Sequence, residues 1–182
     1  RHEKEWLGLG LDTIDNGDQC LIFAMTRKNA VAWARESGNE VVFVGDAHLP
    51  TDPELEVFGE HAMRGTPEAE TIKELQPQEG DHVLEKRTYS AFFETGLDLL
   101  LRRLNVDSIV ITGLHTHICC RHTAADAFHK GYGLTIASDC VEALTDEDHN
   151  SGLEYIKTIY NAKSLTSGEI IESWATGSKV KI

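Results

Sequence analysis

The chain has 182 residues and a formal net charge of -13, with 41% hydrophobic and 26% charged residues. This length suits one α/β domain over residues 1–182, and the composition is that of a soluble globular protein. The acidic charge argues against nucleic-acid binding, which needs a basic face. No apolar run approaches the roughly 20 residues that cross a bilayer, and residues 1–5 do not resemble a signal peptide. We therefore expect a cytoplasmic protein.

Helical and strand patterns alternate along the chain from residue 26 onward. The strands are short apolar runs, and several helices begin near a capping residue. This alternation predicts a three-layer α/β/α fold around a central parallel sheet. The predicted helices are 26–37, 68–75, 96–104, 123–130 and 145–159, the predicted strands are 40–44, 82–86, 106–112 and 132–137, residues 49–66 form a polar loop, and a weak strand or tail ends the chain.

Three polar features lie at the carboxyl ends of predicted strands: Asp46, Lys86 and the turn before Cys119. Because functional groups gather at the carboxyl ends of parallel strands, we expect these groups to share one edge of the sheet. The sequence has neither a G-x-G-x-x-G motif after a first strand nor a Walker A motif, so nucleotide binding has no direct support.

The most informative stretch runs from Gly113 to Ala127, where an apolar strand is followed by a short polar turn, a cysteine and a helix-forming run. A thiol near a helix N-terminus is favoured as the thiolate, and the N–H groups there can hold an oxyanion. A randomly chosen cysteine is more often a buried packing residue, but its position favours Cys119 as a nucleophile. Cys120 lacks that argument and is interpreted as packing.

Lys86 ends an apolar strand, where it is either a lysine reaching solvent or a cation that stabilises a thiolate. Asp46 and His48 with His61 downstream form either a metal site or a set of solvated loop residues. Two imidazoles and a carboxylate suit zinc, iron or manganese.

Other side chains near these motifs allow two interpretations. Tyr89, Phe92 and Phe93 belong either to the core or to the wall of an aromatic substrate pocket. The histidines of the nucleophile segment are either surface groups or substrate contacts; these are His115, His117 and His122.

Two segments resemble the isochorismatase-like cysteine hydrolases, especially the branch of nicotinamidases and N-carbamoylsarcosine amidases. Residues 84–92, Leu-Glu-Lys-Arg-Thr-Tyr-Ser-Ala-Phe, are similar to the family's catalytic-lysine segment, and residues 113–127 to its nucleophile segment. The resemblance implies Cys119 as the nucleophile and Lys86 as its partner. It also implies a non-proline cis peptide at Leu114–His115 and an oxyanion hole built from the N–H groups of His115 and Cys119.

The same resemblance covers the Asp-x-His pattern and the segment that begins at His61. It implies a divalent metal, most simply zinc, bound by Asp46, His48 and His61. Branches that act on isochorismate generally lack this triad, so its presence favours an amidase.

The N-terminal segment departs from the family pattern of a hydrophobic strand that ends in an aspartate. Asp12 is the first candidate for the catalytic base, because Asp15-Asn16 then falls where the family has a polar pair, and Asp15 is the second candidate. Alternatively, residues 20–25 form the first strand, which has no aspartate at its end. The catalytic triad is then incomplete.

Together these features predict a cysteine amidohydrolase that cleaves a small carboxamide, with nicotinamide as the first choice and a homo-oligomer as the expected assembly. Tyr89 and Phe92 are the predicted substrate contacts. The alternatives are the same chemistry on an N-carbamoyl amino acid or an isochorismate-like substrate, and a non-catalytic binding protein on this fold.

Overall fold

A computed structural model describes residues 31, 34–36 and 38–175. Residues 38–175 form five strands and five α-helices, together with short 3₁₀ turns and one π-helical turn, and residues 31 and 34–36 are helical. None of the helices in these ranges is long and apolar enough to cross a membrane. The strands are β1 (Val42–Asp46), β2 (His82–Lys86), β3 (Ser108–Leu114), β4 (Gly133–Glu142) and β5 (Lys163–Leu165); the helices are α1 (Leu55–Phe58), α2 (Leu97–Arg103), α3 (Arg121–His129), α4 (Asp146–Ile159) and α5 (Ser167–Ala175).

All strand pairs between these elements are parallel. One sheet joins β1 to β2, and the other has the order β3-β4-β5. Helices connect the strands and pack against them, as expected because parallel strands need crossover connections. The parallel sheets with flanking helices confirm the predicted fold class.

The sheet register places two functional side chains next to each other. Asp46 ends β1 and Lys86 ends β2, and these two residues are partners in the parallel ladder. Their side chains therefore leave the sheet side by side at the carboxyl end.

The main hydrophobic core lies between the sheets and helices α2, α3 and α4. Its strand residues come from apolar runs such as that of β1, and its helix residues recur at the three- and four-residue spacing of one helical face. Val44, Ile136 and Ile156 have no exposed surface. This rigid core supports the strand ends from which the functional residues project.

Some predicted elements differ from the observed ones. The predicted helix 68–75 is wrong: this segment forms two 3₁₀ turns, Pro67–Ala69 and Lys73–Leu75. Prolines flank it on both sides, and Leu75 is buried against the core, so a regular helix is interrupted. The loop 49–66 contains the short helix α1, and β4 extends five residues beyond the predicted end at 137.

The C-terminal part of the described chain contains a helix that the sequence analysis missed. Thr166 and Glu169 form a capping box at the start of α5. The Glu169 carboxylate accepts the Thr166 N–H at 2.7 Å, and the Thr166 hydroxyl accepts the Glu169 N–H at 3.3 Å. The spacing Thr-x-x-Glu is a sequence signal for a helix start and could have been used.

Candidate active site

The nucleophile turn, Thr116–Cys120, connects β3 to α3 and has π-helical geometry. It follows Gly113, whose φ of 110° is accessible to glycine at little cost, and a cis peptide bond between Leu114 and His115. The N–H groups of Ile118 and Cys120 donate to the His115 carbonyl at 3.0 and 3.2 Å. Single π-helical turns occur frequently at functional sites. The thiol of Cys119 therefore lies two residues before Arg121, the first residue of α3.

The Cys119 thiol lies beside a buried lysine. Lys86 Nζ is 3.8 Å from Cys119 Sγ and 3.0 Å from the Thr88 carbonyl oxygen, and it forms an ion pair with Asp46. The lysine side chain has no exposed surface, and the Asp46 side chain is 5% exposed. A buried ammonium needs such partners, because an unpaired charge would be strongly destabilising there. The arrangement holds a fixed positive charge next to the sulfur.

The neighbouring cysteine has a different environment. Cys120 is 1% exposed and belongs to the main core. Burial raises the pKa of the Cys120 thiol, and the adjacent Cys119 adds to this effect. Cys120 therefore stays a neutral packing residue, in agreement with its interpretation from the sequence.

A second cluster of polar side chains lies on the loop after β1. Ligand atoms of His48, Glu54 and His61 lie within 4.8 Å of one another, and all three side chains are buried. Asp46 borders this cluster, since its Oδ1 is 3.8 Å from His48 Nε2 while it pairs with Lys86. The structure therefore brings Asp46, His48 and His61 together but adds Glu54, which the sequence analysis did not identify.

Each histidine of this cluster has its Nδ1 directed toward an oxygen. His61 Nδ1 donates to the Gly59 carbonyl at 2.8 Å, and His48 Nδ1 lies 3.4 Å from Asp52 Oδ2. Such contacts leave Nε2 as the metal-binding nitrogen and are typical of histidine ligands. Arg87 in turn pairs with Asp52, with Nε donating to Oδ1 at 3.0 Å.

The cluster also contains buried polar atoms that lack a hydrogen-bond partner. Among the described residues, these include His48 Nε2 and Glu54 Oε2. Because a buried polar atom without a partner is costly, such atoms are suited to binding a ligand. Two imidazoles and a carboxylate are a donor set that fits a divalent metal such as zinc.

The pKa values in the cluster follow from burial. Burial raises the pKa of Glu54 to about 7, and the nearby Asp46 carboxylate adds to the rise. Burial lowers the pKa of His48, while Asp46 opposes that shift. His48 is therefore held as the neutral imidazole, which is the form that binds a metal.

Three aromatic contacts lie next to the histidine cluster. Tyr89 lies 6.5 Å from the ring of Phe58 and 5.1 Å from that of His122, and Phe58 lies 6.4 Å from the ring of His61. Phe58 is 51% exposed. These rings form an aromatic wall beside the cluster of candidate metal ligands, which a flat substrate could contact.

Phe92, predicted as a substrate contact, lies in the core. It is 7% exposed and stacks on Tyr132 with 5.8 Å between the ring centroids. The structure therefore favours the core alternative for Phe92, because its ring is used in packing. Phe93 is 56% exposed.

The remaining predicted site residues have mixed outcomes. His115 directly precedes the nucleophile turn and His117 lies within it; their ring centroids are 6.3 Å apart, and burial lowers the pKa of His115. His122 is exposed, and its Nδ1 donates to the Ile118 carbonyl at 2.8 Å. The base candidates Asp12 and Asp15 lie outside the described residues.

Glu54 was missed because its loop shows no regular pattern. The only available signal was its spacing, six residues after His48 and seven before His61, in a loop already suspected of binding a metal. The short helix α1 begins at the next residue, and it holds Glu54 over the cluster.

The fold and the site define an α/β protein with a buried thiol–lysine pair at the carboxyl ends of parallel strands. The family model of the isochorismatase domain matches residues 14–168. The chain therefore belongs to the isochorismatase family.

Two curated relatives illustrate the sequence similarity. The uncharacterized isochorismatase family protein YaaI of Bacillus subtilis is 39% identical over 101 residues, which cover 56% of this chain and 56% of YaaI. Ureidoacrylate amidohydrolase RutB of Acinetobacter baylyi is 37% identical over 115 residues, which cover 63% of this chain and 46% of RutB. The chain thus spans about half the length of the curated relatives it matches.

Solved structures extend the similarity to the fold. N-carbamoylsarcosine amidase from Thermoplasma acidophilum is 40% identical with a TM-score of 0.73, covering 77% of this chain and 79% of that one. Nicotinamidase PncA from Bacillus subtilis is 31% identical with a TM-score of 0.70, and the match covers 76% of this chain and 81% of that one. Pyrazinamidase of Pyrococcus horikoshii, solved in complex with zinc, is 26% identical with a TM-score of 0.70. The match covers 76% of this chain and 82% of that one.

Proposed function

We propose that this protein is a cysteine amidohydrolase that hydrolyses a small carboxamide, with nicotinamide as the first candidate substrate. The observation that carries the proposal is the buried contact of 3.8 Å between Lys86 Nζ and Cys119 Sγ. A cationic neighbour stabilises a thiolate, which is the nucleophilic form of cysteine. Membership of a family that contains amidohydrolases supports the same chemistry.

In the proposed reaction, the base takes the thiol proton of Cys119 and the resulting thiolate attacks the amide carbon. Asp12, implied by the family resemblance, is the proposed base. The N–H groups of His115 and Cys119 are the proposed oxyanion donors, and one such donor typically lowers the barrier by roughly 3–4 kcal/mol. Protonated Asp12 then gives this proton to the amide nitrogen as ammonia leaves, and water hydrolyses the thioester to release the carboxylate and the Cys119 thiol.

A divalent metal, with zinc as the first candidate, is proposed at the cluster next to the thiol. When bound, it would supply a Lewis acid that orients a substrate nitrogen or a water. His48, Glu54 and His61 are the residues that would hold it, with Asp46 at the border. The zinc in the pyrazinamidase of Pyrococcus horikoshii supports this choice.

Nicotinamide is preferred because of the aromatic wall near the cluster. Tyr89 and Phe58 offer ring faces and edges that a pyridine ring can stack against. Nicotinamidase PncA of Bacillus subtilis and nicotinamidase 3 of Arabidopsis thaliana support this candidate. An N-carbamoyl or ureido substrate is the second candidate, favoured by the 40% identity to N-carbamoylsarcosine amidase.

A substrate panel tests the proposal. Ammonia release is measured with nicotinamide, N-carbamoylsarcosine and ureidoacrylate, before and after treatment with a chelator. Cys119→Ala should abolish turnover, whereas the matched control Cys120→Ala, a change in the adjacent thiol, should retain it. Equal ammonia release by the wild type and Cys119→Ala would reject the enzyme proposal, and no turnover on any amide would favour a non-catalytic binding protein.

A further inference from the structure

Helix α4 packs against the nucleophile turn through one face. His149, Gly152 and Ile156 follow one another at spacings of three and four residues, so their side chains share this face. Ile156 has no exposed surface and belongs to the main core. The face therefore anchors α4 in the core at one end and reaches the turn at the other.

Gly152 allows direct contact between the helix and the turn. A Cβ atom at this position would lie 2.8 Å from His117 N and 2.9 Å from His117 Cα. Side chains essentially never approach backbone that closely, and glycine is a poor residue for a helix interior. The glycine is therefore explained by the close approach to the turn.

His149 makes the polar contact of this interface. Its Nδ1 lies 3.0 Å from Thr116 Oγ1, within a hydrogen bond, and 3.7 Å from Glu142 Oε1. Thr116 has no exposed surface, and Glu142 is the last residue of β4. His149 thus connects the first residue of the turn to the sheet and to α4.

The start of α4 is itself fixed. The Thr145 hydroxyl accepts the Asp148 N–H at 3.1 Å and caps the helix. Asp148 Oδ1 also lies 4.0 Å from His117 Nε2, a second contact with the turn. The imidazole of His149 therefore projects from a well-anchored first turn of the helix.

We propose that His149 is a positioning residue that fixes the nucleophile turn through its hydrogen bond to Thr116. Fixing Thr116 keeps Cys119, three residues later, at its distance from Lys86. It also fixes the direction of the backbone N–H groups of the turn. This role rests on the proposed amidohydrolase activity, and His149 acts through Thr116 rather than on the substrate.

The test compares His149→Ala with the conservative variant His149→Asn, whose amide can replace Nδ1 as a partner of Thr116. His149→Ala should lower kcat by about 10- to 100-fold with little change in KM, because misplacing the nucleophile costs rate rather than binding. His149→Asn should recover most of the lost rate. Ser151→Ala, an exposed change on the same helix, is the matched control and should be neutral.

Thr116→Val gives a second line of evidence, because it removes the partner hydroxyl and leaves His149 in place. If both residues act through one hydrogen bond, the double variant His149→Ala/Thr116→Val should be no slower than the worse single variant. Fully additive losses would overturn the proposal, as would equal rates for His149→Ala and His149→Asn.

A readout that does not need the substrate separates this proposal from the proposed function. Alkylation of Cys119 by iodoacetamide is followed by mass spectrometry at that residue, and His149→Ala should change its rate by about threefold or more, with His149→Asn close to the wild type. If the wild-type protein hydrolyses no amide, the proposed amidohydrolase activity is rejected. The alkylation rates of Cys119 still decide the role of His149. Alkylation of His149→Ala at the wild-type rate would overturn that role.

Discussion

Replacing Lys86 by methionine tests whether its charge keeps Cys119 reactive. Methionine retains an unbranched apolar side chain and removes the ammonium that lies 3.8 Å from the sulfur. At that distance, two unit charges attract by roughly 4 kcal/mol at an effective dielectric constant of about 20. Since 1.4 kcal/mol is a factor of ten, the loss of this attraction alone lowers the thiolate population by about a thousandfold.

The assay is the second-order rate of Cys119 alkylation by iodoacetamide at neutral pH, with kcat/KM for the best amide as a second readout. We expect Lys86→Met to lower both by about 100- to 1000-fold. The same change leaves the Asp46 carboxylate buried without its main cation, which typically costs about 3–5 kcal/mol in the free energy of unfolding.

The double variant Asp46→Asn/Lys86→Met separates the two effects. It removes the unpaired carboxylate, so stability to urea should largely return while Cys119 stays unreactive. If Lys86→Met is alkylated within about threefold of the wild-type rate while folded, the electrostatic argument for this pair fails.

Three further outcomes are expected. Glu54→Gln should weaken zinc binding measured by calorimetry, because it replaces the carboxylate among the candidate ligands; unchanged affinity would exclude Glu54 as a ligand. Asp52→Asn should weaken the same affinity by about 10- to 100-fold through His48, and an unchanged dissociation constant would count against that role. Burial alone raises the pKa of Asp81, but hydrogen bonds from Arg35 and from a backbone N–H outweigh burial, and the pKa in the folded protein is lowered. The Asp81 carboxylate therefore stabilises the fold above its pKa in the unfolded chain, and this stabilisation is lost as the pH falls through its pKa in the folded protein. The stability gap to Asp81→Asn in urea should therefore shrink between pH 6 and pH 3, and a constant gap would contradict the linkage.

The sequence was most informative where local pattern and fold agree. The patterns of residues 40–44 and 82–86 predict strands, and the carboxyl ends of parallel strands share one edge of the sheet, so the placement of Asp46 and Lys86 at one edge was expected from the sequence. The position of Cys119 after β3 followed from the same pattern. The cis peptide at Leu114–His115 agrees with what the family resemblance implied.

The sequence was least informative where tertiary contacts decide the role of a residue. Glu54 lies in an irregular loop, and only its approach to His48 and His61 marks it as a candidate ligand. Phe92 is the last residue of the lysine segment, yet the direction of its side chain places it against Tyr132 in the core. Periodicity carries no information on either point.

The adjacent residues Lys86 and Arg87 face different halves of the site. Lys86 contacts the thiol, whereas Arg87 holds the carboxylate that contacts His48. One peptide unit therefore connects the residue that contacts the Cys119 thiol to the residue that holds Asp52 against the candidate metal ligand His48. Loss of turnover after chelation would consequently report on the geometry of the thiol as well as on any role of the metal in catalysis, and thiol alkylation with and without metal distinguishes the two.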